Sequence, residues 1–282
     1  VTCSNYCINN INMKEFISID GKKLESSIPL RALFYGEGVF ETFRYNNELP
    51  VLMDKHLERM EKGAKVLNLP TKGRDFVLKL LEAEISESKV SDAYVKICLL
   101  SDGKSSFSSI PDKSQLLVVI RKYDHPRPSV SLKVNSFRNI SVSPLREIKS
   151  TNYLENILAR REAQRSGFDE ALFLNEWGEI TECSASNVFW FKDGVFFTPH
   201  TNCGLLEGTT RNFIMDIITE LNFSTAKGGY QIDDMLTSDF VFITNSLIGS
   251  VPVSSLGDIS FDMEHPIYLE LQKSLIDKLK WT

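Results

Sequence analysis

Gly178-Glu-Ile-Thr-Glu-Cys-Ser-Ala-Ser-Asn-Val-Phe-Trp190 is the stretch on which the reading of this chain turns. It sets one acid, Glu182, at the end of a strand-like run, follows it with small and polar residues, and then opens an apolar strand. A carboxylate at such a strand end is poised to face a buried heteroaromatic nitrogen. Whether it does so depends on what the rest of the chain brings to it.

Two hairpins enclose the stretch. Ala171-Leu-Phe-Leu174 runs into a turn at Trp177-Gly178, and Val188-Phe-Trp-Phe191 into a turn at Asp193-Gly194. Downstream, a helix begins near Thr209 with Phe213, Ile214, Ile217, Ile218 and Leu221 facing inward, and Phe240-Val-Phe-Ile243 has the unbroken apolar character of a buried strand. Upstream, residues 130–137 read as a strand, and residues 152–165 as a helix stopped by Gly167.

The first half of the chain mixes both element types. Phe16-Ile-Ser-Ile19 with Gly21 reads as a strand entering a turn. Val39-Phe-Glu-Thr-Phe-Arg-Tyr45, Asn46-Asn47 and Leu49-Pro-Val-Leu52 read as a hairpin. Asp54 is placed to cap a helix carrying Leu57, Met60, Ala64 and Leu67 on one face. A second helix over 74–88 presents Phe76, Val77, Leu80, Leu81 and Ile85. Strands at 93–100 and 115–122 flank a Gly/Ser-rich loop at 101–109. The expected architecture is α+β in two domains: a tail at 1–14, a smaller unit at 15–124, a linker at 125–139 and a larger unit at 140–282. The prolines of His125-Pro-Arg-Pro128 mark the linker, since they oppose both helix and central strand.

Composition narrows the function. A net charge of −5 leaves no basic footprint for nucleic acid, and no apolar run reaches the length of a membrane span. The five cysteines (Cys3, Cys7, Cys98, Cys183, Cys203) show neither a disulfide framework nor metal spacing, which points to a reducing, cytoplasmic setting. His56, His125, His200 and His265 are scattered, so metal catalysis is weakly supported, and no Gly-x-Ser-x-Gly elbow, dinucleotide fingerprint or Walker loop occurs.

Phosphate-binding parts are present. Gly208-Thr-Thr-Arg211 sits where a loop becomes a helix, a place for a phosphate monoester or for a plain Thr cap. Asn245-Ser246 follows the buried strand as a second polar turn, readable equally as a strand end. Arg59 can add a full charge or sit solvated on its helix. Lys149, in Arg146-Glu-Ile-Lys-Ser-Thr-Asn-Tyr-Leu154, lies between strand and helix, where desolvation would make its amine nucleophilic. A nucleophilic lysine, a phosphate cradle and an acid for a ring nitrogen are the parts that pyridoxal 5'-phosphate (PLP) requires.

Tyr35-Gly-Glu-Gly-Val-Phe-Glu-Thr42, His56-Leu-Glu-Arg59, Lys149-Ser-Thr-Asn-Tyr153, Ile180-Thr-Glu-Cys-Ser-Ala-Ser-Asn-Val-Phe189 and Leu206-Glu-Gly-Thr-Thr-Arg211 together resemble the fold-type IV PLP enzymes. That family is branched-chain aminotransferase-like and D-amino acid aminotransferase-like in fold, and the resemblance runs from about Phe16 to Phe261. It implies that Lys149 bonds the cofactor aldehyde and moves protons, and that Glu182 holds the pyridine nitrogen. It further implies phosphate ligands at Arg59, Thr209, Thr210 and Ser246, and a ring neighbour at Tyr153. Arg31 and Asn187 match recurrent positions of the family, with support of the loops alone as the other reading. Members are usually homodimers whose site is partly closed by the neighbouring subunit.

Within the family, Glu182-Cys-Ser-Ala-Ser-Asn-Val-Phe-Trp190 and Thr244-Asn-Ser-Leu-Ile-Gly-Ser-Val-Pro-Val253 resemble the 4-amino-4-deoxychorismate lyases, which serve folate biosynthesis. The loop at 101–109 lacks the Arg-x-His pair of D-amino acid aminotransferases, and Phe40 stands where that group has a tyrosine. It also lacks the arginine common in lyases; Lys104 is either the substitute or a solvated loop lysine. Asn245 is a candidate substrate contact, with a simple turn as the other reading. The implied activity is a β-elimination giving 4-aminobenzoate and pyruvate, with transamination of branched-chain or other amino acids as the alternative.

Overall fold

The computed structural model describes residues 18–19, 22–23, 28–104 and 106–281. The expected tail, Cys3, Cys7 and the Phe16, Ile17 and Gly21 positions lie outside them. β1 (Ser18–Ile19) pairs with β2 (Lys22–Lys23) in a two-residue ladder, and α1 (Leu30–Tyr35) follows. A three-stranded antiparallel sheet comes next, built from β3 (Gly38–Asn46), β4 (Asp92–Asp102) and β5 (Lys113–Lys122). α2 (Met53–Val66) and α3 (Arg74–Ser88) cover one face of it, enclosing Val39, Phe43, Leu57, Met60, Leu81, Val95, Ile97 and Leu99. On α3, Val77, Leu81 and Ile85 are buried while Phe76 is exposed.

Two expectations fail here. Leu49-Pro-Val-Leu52 is no strand: β3 pairs with β4 along its whole length instead, from Gly38↔Leu100 to Asn46↔Asp92. Pro50 has no N–H for a ladder, and its carbonyl accepts from Met53 N at 2.9 Å at the start of α2. Asp54 does not cap α2 either. It lies in the first turn and pairs with Arg74 of α3, while the cap position is Leu52.

The larger sheet contains nine strands. β6 (Val130–Val134), β7 (Glu170–Leu174), β8 (Ile180–Cys183), β9 (Asn187–Lys192), β10 (Val195–Pro199), β11 (Ser224–Gly228), β12 (Phe240–Asn245) and β13 (Gly249–Leu256) run in the spatial order β11-β10-β9-β12-β13-β6-β7-β8. β14 (Ile259–Ser260) hangs from β13. Residues 125–139, expected as a linker, therefore contain a central strand, since β6 is paired in parallel with both β13 and β7. The connection between the two sheets shortens to about 123–129, where the prolines stand.

α4 (Leu154–Arg165), α5 (Thr209–Glu220), α6 (Ile232–Leu236) and α7 (Pro266–Leu279) complete the chain. Buried on both faces, β9 and β12 need apolar residues at nearly every position. Opposite residues stack across the pair: Phe189 on Phe242 and Phe191 on Phe240, each with ring centroids 5.1 Å apart. These rings meet α5 and α7 on one side, and Val188, Trp190, Val241 and Ile243 fill the other. Each fully buried ring contributes roughly 1.5–3 kcal/mol. That rigid centre holds the strand ends from which the site is built. The β9–β10 hairpin turns at Asp193 and Gly194, both with positive φ (50° and 80°), as the Asp-Gly pair predicts. Among the described residues, no helix is long and apolar enough to cross a membrane.

Candidate active site

One end of the large sheet gathers the chemistry. β8 delivers Glu182, β9 begins at Asn187, β12 ends at Asn245 and α5 starts at Thr209. Beside them, bordered by Arg59 of α2 and the segment around Lys149, lies a cleft of about 330 Å³. It is lined by Arg59, Lys149, Tyr153, Glu182, Thr209, Thr210, Asn245 and Ser246, so of the residues nominated from sequence Lys104 alone is missing.

Lys149 enters from a segment that pairs along the free edge of β3. Phe40 N donates to the Lys149 carbonyl at 2.8 Å, Val39 bridges to Ser150, and Thr151 N donates to the Gly38 carbonyl at 2.9 Å. The side chain keeps some surface open to the cleft while its amine is recessed. Burial and the Arg59 charge lower its pKa to about 8, helped by Lys96 and opposed by Glu41 and Glu182. A useful fraction of the amine is then unprotonated near neutrality. Its Nζ stands 4.7 Å from the Phe40 ring centre and 6.0 Å from that of Tyr153.

Glu182 is buried with few partners. Asn187 Nδ2 donates to its Oε2 at 3.4 Å and to the Leu206 carbonyl at 2.9 Å, which fixes the amide between the acid and the loop before α5. Burial raises the carboxyl pKa to about 7, against a backbone hydrogen bond at Leu206 and the charges of Arg146, Lys149 and Arg59. The carboxyl thus sits where a proton-bearing partner would restore its charge.

The opposite end has the donors to receive an anion. α5 opens at Gly208 with no side chain capping it. A Cβ on Gly208 would stand 2.0 Å from Asn187 Oδ1, so only glycine allows this approach. The first-turn N–H groups, Thr209 and Thr210 then border the cleft beside Arg59. Ser246 lines it too, although its hydroxyl donates to the Thr42 carbonyl and ties the 245–246 turn to β3. Tyr153 donates its hydroxyl to the Ser184 carbonyl at 3.0 Å and meets Phe40 edge-on, with centroids 5.5 Å apart. Burial pushes its phenol pKa upward, so it stays a donor.

The two nominated substrate contacts are placed differently. Asn245 lines the cleft, but its Nδ2 donates to the Ala185 carbonyl (2.9 Å) and Ser186 Oγ (3.0 Å), and its Oδ1 accepts from Leu247 N and Ile248 N. Both ends of the amide are engaged in shaping the turn. Lys104 is exposed on the 101–109 loop and contributes its carbonyl, which accepts from Arg31 Nη1 at 3.1 Å. Buried Arg31 also donates to the Ser106 carbonyl, Ser109 Oγ and Glu37, so it supports that loop.

Three residues near the site were not read from sequence. Glu41 and His56 are buried against Arg59. Lys96 of β4 places its Nζ 4.1 Å from the Phe40 ring that also neighbours Lys149. Strand alternation was the available signal for Lys96, since Val95 and Ile97 on either side point into the core.

A recessed amine, a carboxyl without a cation in hydrogen-bond contact among the described residues, and an uncapped helix start beside an arginine form a coherent donor set. They fit a phosphorylated pyridine aldehyde end to end, and the cleft has room for one such molecule. Comparison with known proteins identifies the family. Aminodeoxychorismate lyase of Bacillus subtilis (strain 168) is 29% identical over 258 residues, covering 87% of this chain and 88% of that protein. A Methanocaldococcus jannaschii protein provisionally assigned as a branched-chain-amino-acid aminotransferase is 28% identical over 245 residues, covering 83% and 84%. A crystal structure of a Legionella pneumophila protein, provisionally assigned as a 4-amino-4-deoxychorismate lyase, superposes with a TM-score of 0.86 at 30% identity, covering 92% of this chain and 98% of that one. Residues 38–256 match the family described as amino-transferase class IV, and the chain belongs to that family.

Proposed function

We propose that the protein is a PLP-dependent 4-amino-4-deoxychorismate lyase, a carbon–oxygen lyase that yields 4-aminobenzoate and pyruvate. The convergence of Lys149, Glu182 and the α5 N-terminus on one cleft carries the cofactor part of this reading. The near-full-length similarity to the Bacillus subtilis aminodeoxychorismate lyase supports the lyase branch. So do the Cys183–Trp190 and Thr244–Val253 patterns.

PLP supplies an aldehyde for the substrate amine and a ring that takes up the electrons released at the neighbouring carbon. Lys149, with its pKa near 8, takes the proton from the amine-bearing ring carbon and can return it to the departing enolpyruvyl group. Glu182 holds the ring nitrogen charged. Arg59, Thr209, Thr210 and Ser246 hold the phosphate, and Tyr153 packs beside the ring. Aromatisation drives the elimination, so the protein mainly orients the leaving group and moves one proton. A homodimer belongs to the same reading, and the exposed apolar residues Leu33, Phe34, Phe107 and Ile110 on the small unit favour a covered surface there.

Purified protein supplied with PLP and 4-amino-4-deoxychorismate should release pyruvate and 4-aminobenzoate in equal amounts. Absence of both products while the cofactor is bound would overturn the lyase reading. The similarity to proteins assigned as branched-chain aminotransferases keeps transamination as the second reading. It requires that an amino acid alone change the spectrum of the bound cofactor; failure across a panel of amino acids removes it.

A further inference from the structure

Glu41 lies on β3 but faces α2, fully buried at 0% exposure. Arg59 addresses it fork to fork: Nε donates to Oε1 at 2.8 Å and Nη2 to Oε2 at 2.7 Å. His56, nearly one turn earlier on α2, reaches the same Oε2 with Nδ1 at 2.7 Å. An ionised carboxylate only accepts, so the imidazole carries its hydrogen on Nδ1. Arg59 Nη1 donates to the Glu207 carbonyl at 3.0 Å, just ahead of the Gly208 helix start. The guanidinium plane is thereby held from the small sheet and from the phosphate loop at once. Of the five N–H groups a guanidinium carries, three are fixed, and the other two are left for the cleft that Arg59 lines.

We infer that Glu41, backed by His56, is a positioning residue that aims Arg59 at the phosphate end of the cleft, so that cofactor capture depends on the phosphate and not on the ring alone. This rests on the PLP reading above. The physical reason is twofold. A buried arginine without a counter-charge is costly, and Glu41 lets it wait in place before the anion arrives. A free arginine would also lose its rotamer freedom on binding, and the clamp has already removed it. Burial alone would push the Glu41 carboxyl upward, but Arg59 and His56 outweigh it and hold the pKa at about 2. The clamp therefore stays charged across the working pH range.

The test compares two ligands that differ only in the phosphate. The full-length cofactor-free chain and its Glu41→Gln variant are titrated with PLP and with pyridoxal, following absorbance. Wild type should bind PLP far more tightly than pyridoxal. Glu41→Gln should lose about tenfold or more in PLP affinity, the scale of one charge-assisted hydrogen bond, while pyridoxal affinity stays within about twofold, below the scale of such a bond. An unchanged PLP-to-pyridoxal ratio, or equal losses for both ligands, overturns the inference and leaves the cofactor reading standing. A wild type without preference for PLP overturns both. Should Glu41→Gln fail to fold, Glu41→Asp keeps the charge but shortens the reach, and the same ratio decides.

Discussion

Two buried glutamates, one lining the cleft and one behind Arg59, are treated in opposite ways. Glu41 is 0% exposed and Glu182 is 8% exposed, so burial opposes the charge of each. Yet Glu41 is held at a pKa of about 2 and Glu182 is raised to about 7. The difference lies in what touches them. Glu41 accepts three short hydrogen bonds, two from a guanidinium and one from an imidazole. Glu182 has one long bond from the neutral Asn187 side-chain amide and a backbone hydrogen bond at Leu206, and its cations act only at a distance. A fully satisfied buried acid is structure; a buried acid left short of a counter-charge is a site awaiting a partner. The contrast separates the framework of this cleft from its chemistry.

The contrast can be broken most severely at the amine that serves the chemical end. Lys149→Ala should lower product formation by about 10³-fold or more, the range of a lost general acid–base group, as a pyruvate-release assay would reveal. Retained activity would contradict every enzymatic reading of the cleft. Glu182→Gln should cost about 10²- to 10³-fold in turnover while improving the fold. The sign follows from the raised pKa. Between the ordinary 4.5 and about 7, the folded chain keeps a proton that the unfolded chain has released. Stability therefore falls as pH rises through that window and stays lower above it. A neutral glutamine removes this penalty, so melting curves of the cofactor-free variant should lie above wild type at pH 8 and coincide with it at pH 4. Coincidence at both pH values would mean that Glu182 is not desolvated.

Smaller effects are expected outside this pair. Asn245→Ala removes both ends of the turn amide and should cost about 1–3 kcal/mol of stability in a denaturant titration; any kinetic loss should follow from that turn. A large rise in KM with unchanged stability would restore Asn245 as a substrate contact. Lys104→Ala should leave stability within about 0.5 kcal/mol and kcat/KM nearly unchanged, because this side chain is exposed away from the cleft. A strong drop in kcat/KM would return it to the site.

Much of the cleft was legible because its signals are local. Glu182 at a strand end, Lys149 between strand and helix, and Gly208 ahead of Thr209 all follow from short runs of sequence. The hairpins on either side of Glu182 were likewise set by Gly178 and Asp193-Gly194. What was missed depends on partners far along the chain. β3 pairs with β4, about fifty residues on, and the nearby apolar run around Pro50 was a decoy. The i,i+3 spacing of His56 and Arg59 was visible, but Glu41 as their shared partner required the packing of α2 on β3. Asn245 illustrates a different limit: the same amide can shape a turn or meet a ligand, and only its bonded neighbours decide.

The most direct test is to reduce the PLP-loaded protein with borohydride, digest it and weigh the peptides. A single phosphopyridoxyl group on the peptide carrying Lys149, lost in Lys149→Ala, is the result expected from this cleft. A label on another lysine, or none from a protein that does bind PLP, would contradict the assignment of Lys149 and Glu182 as the two ends of the cofactor's chemistry.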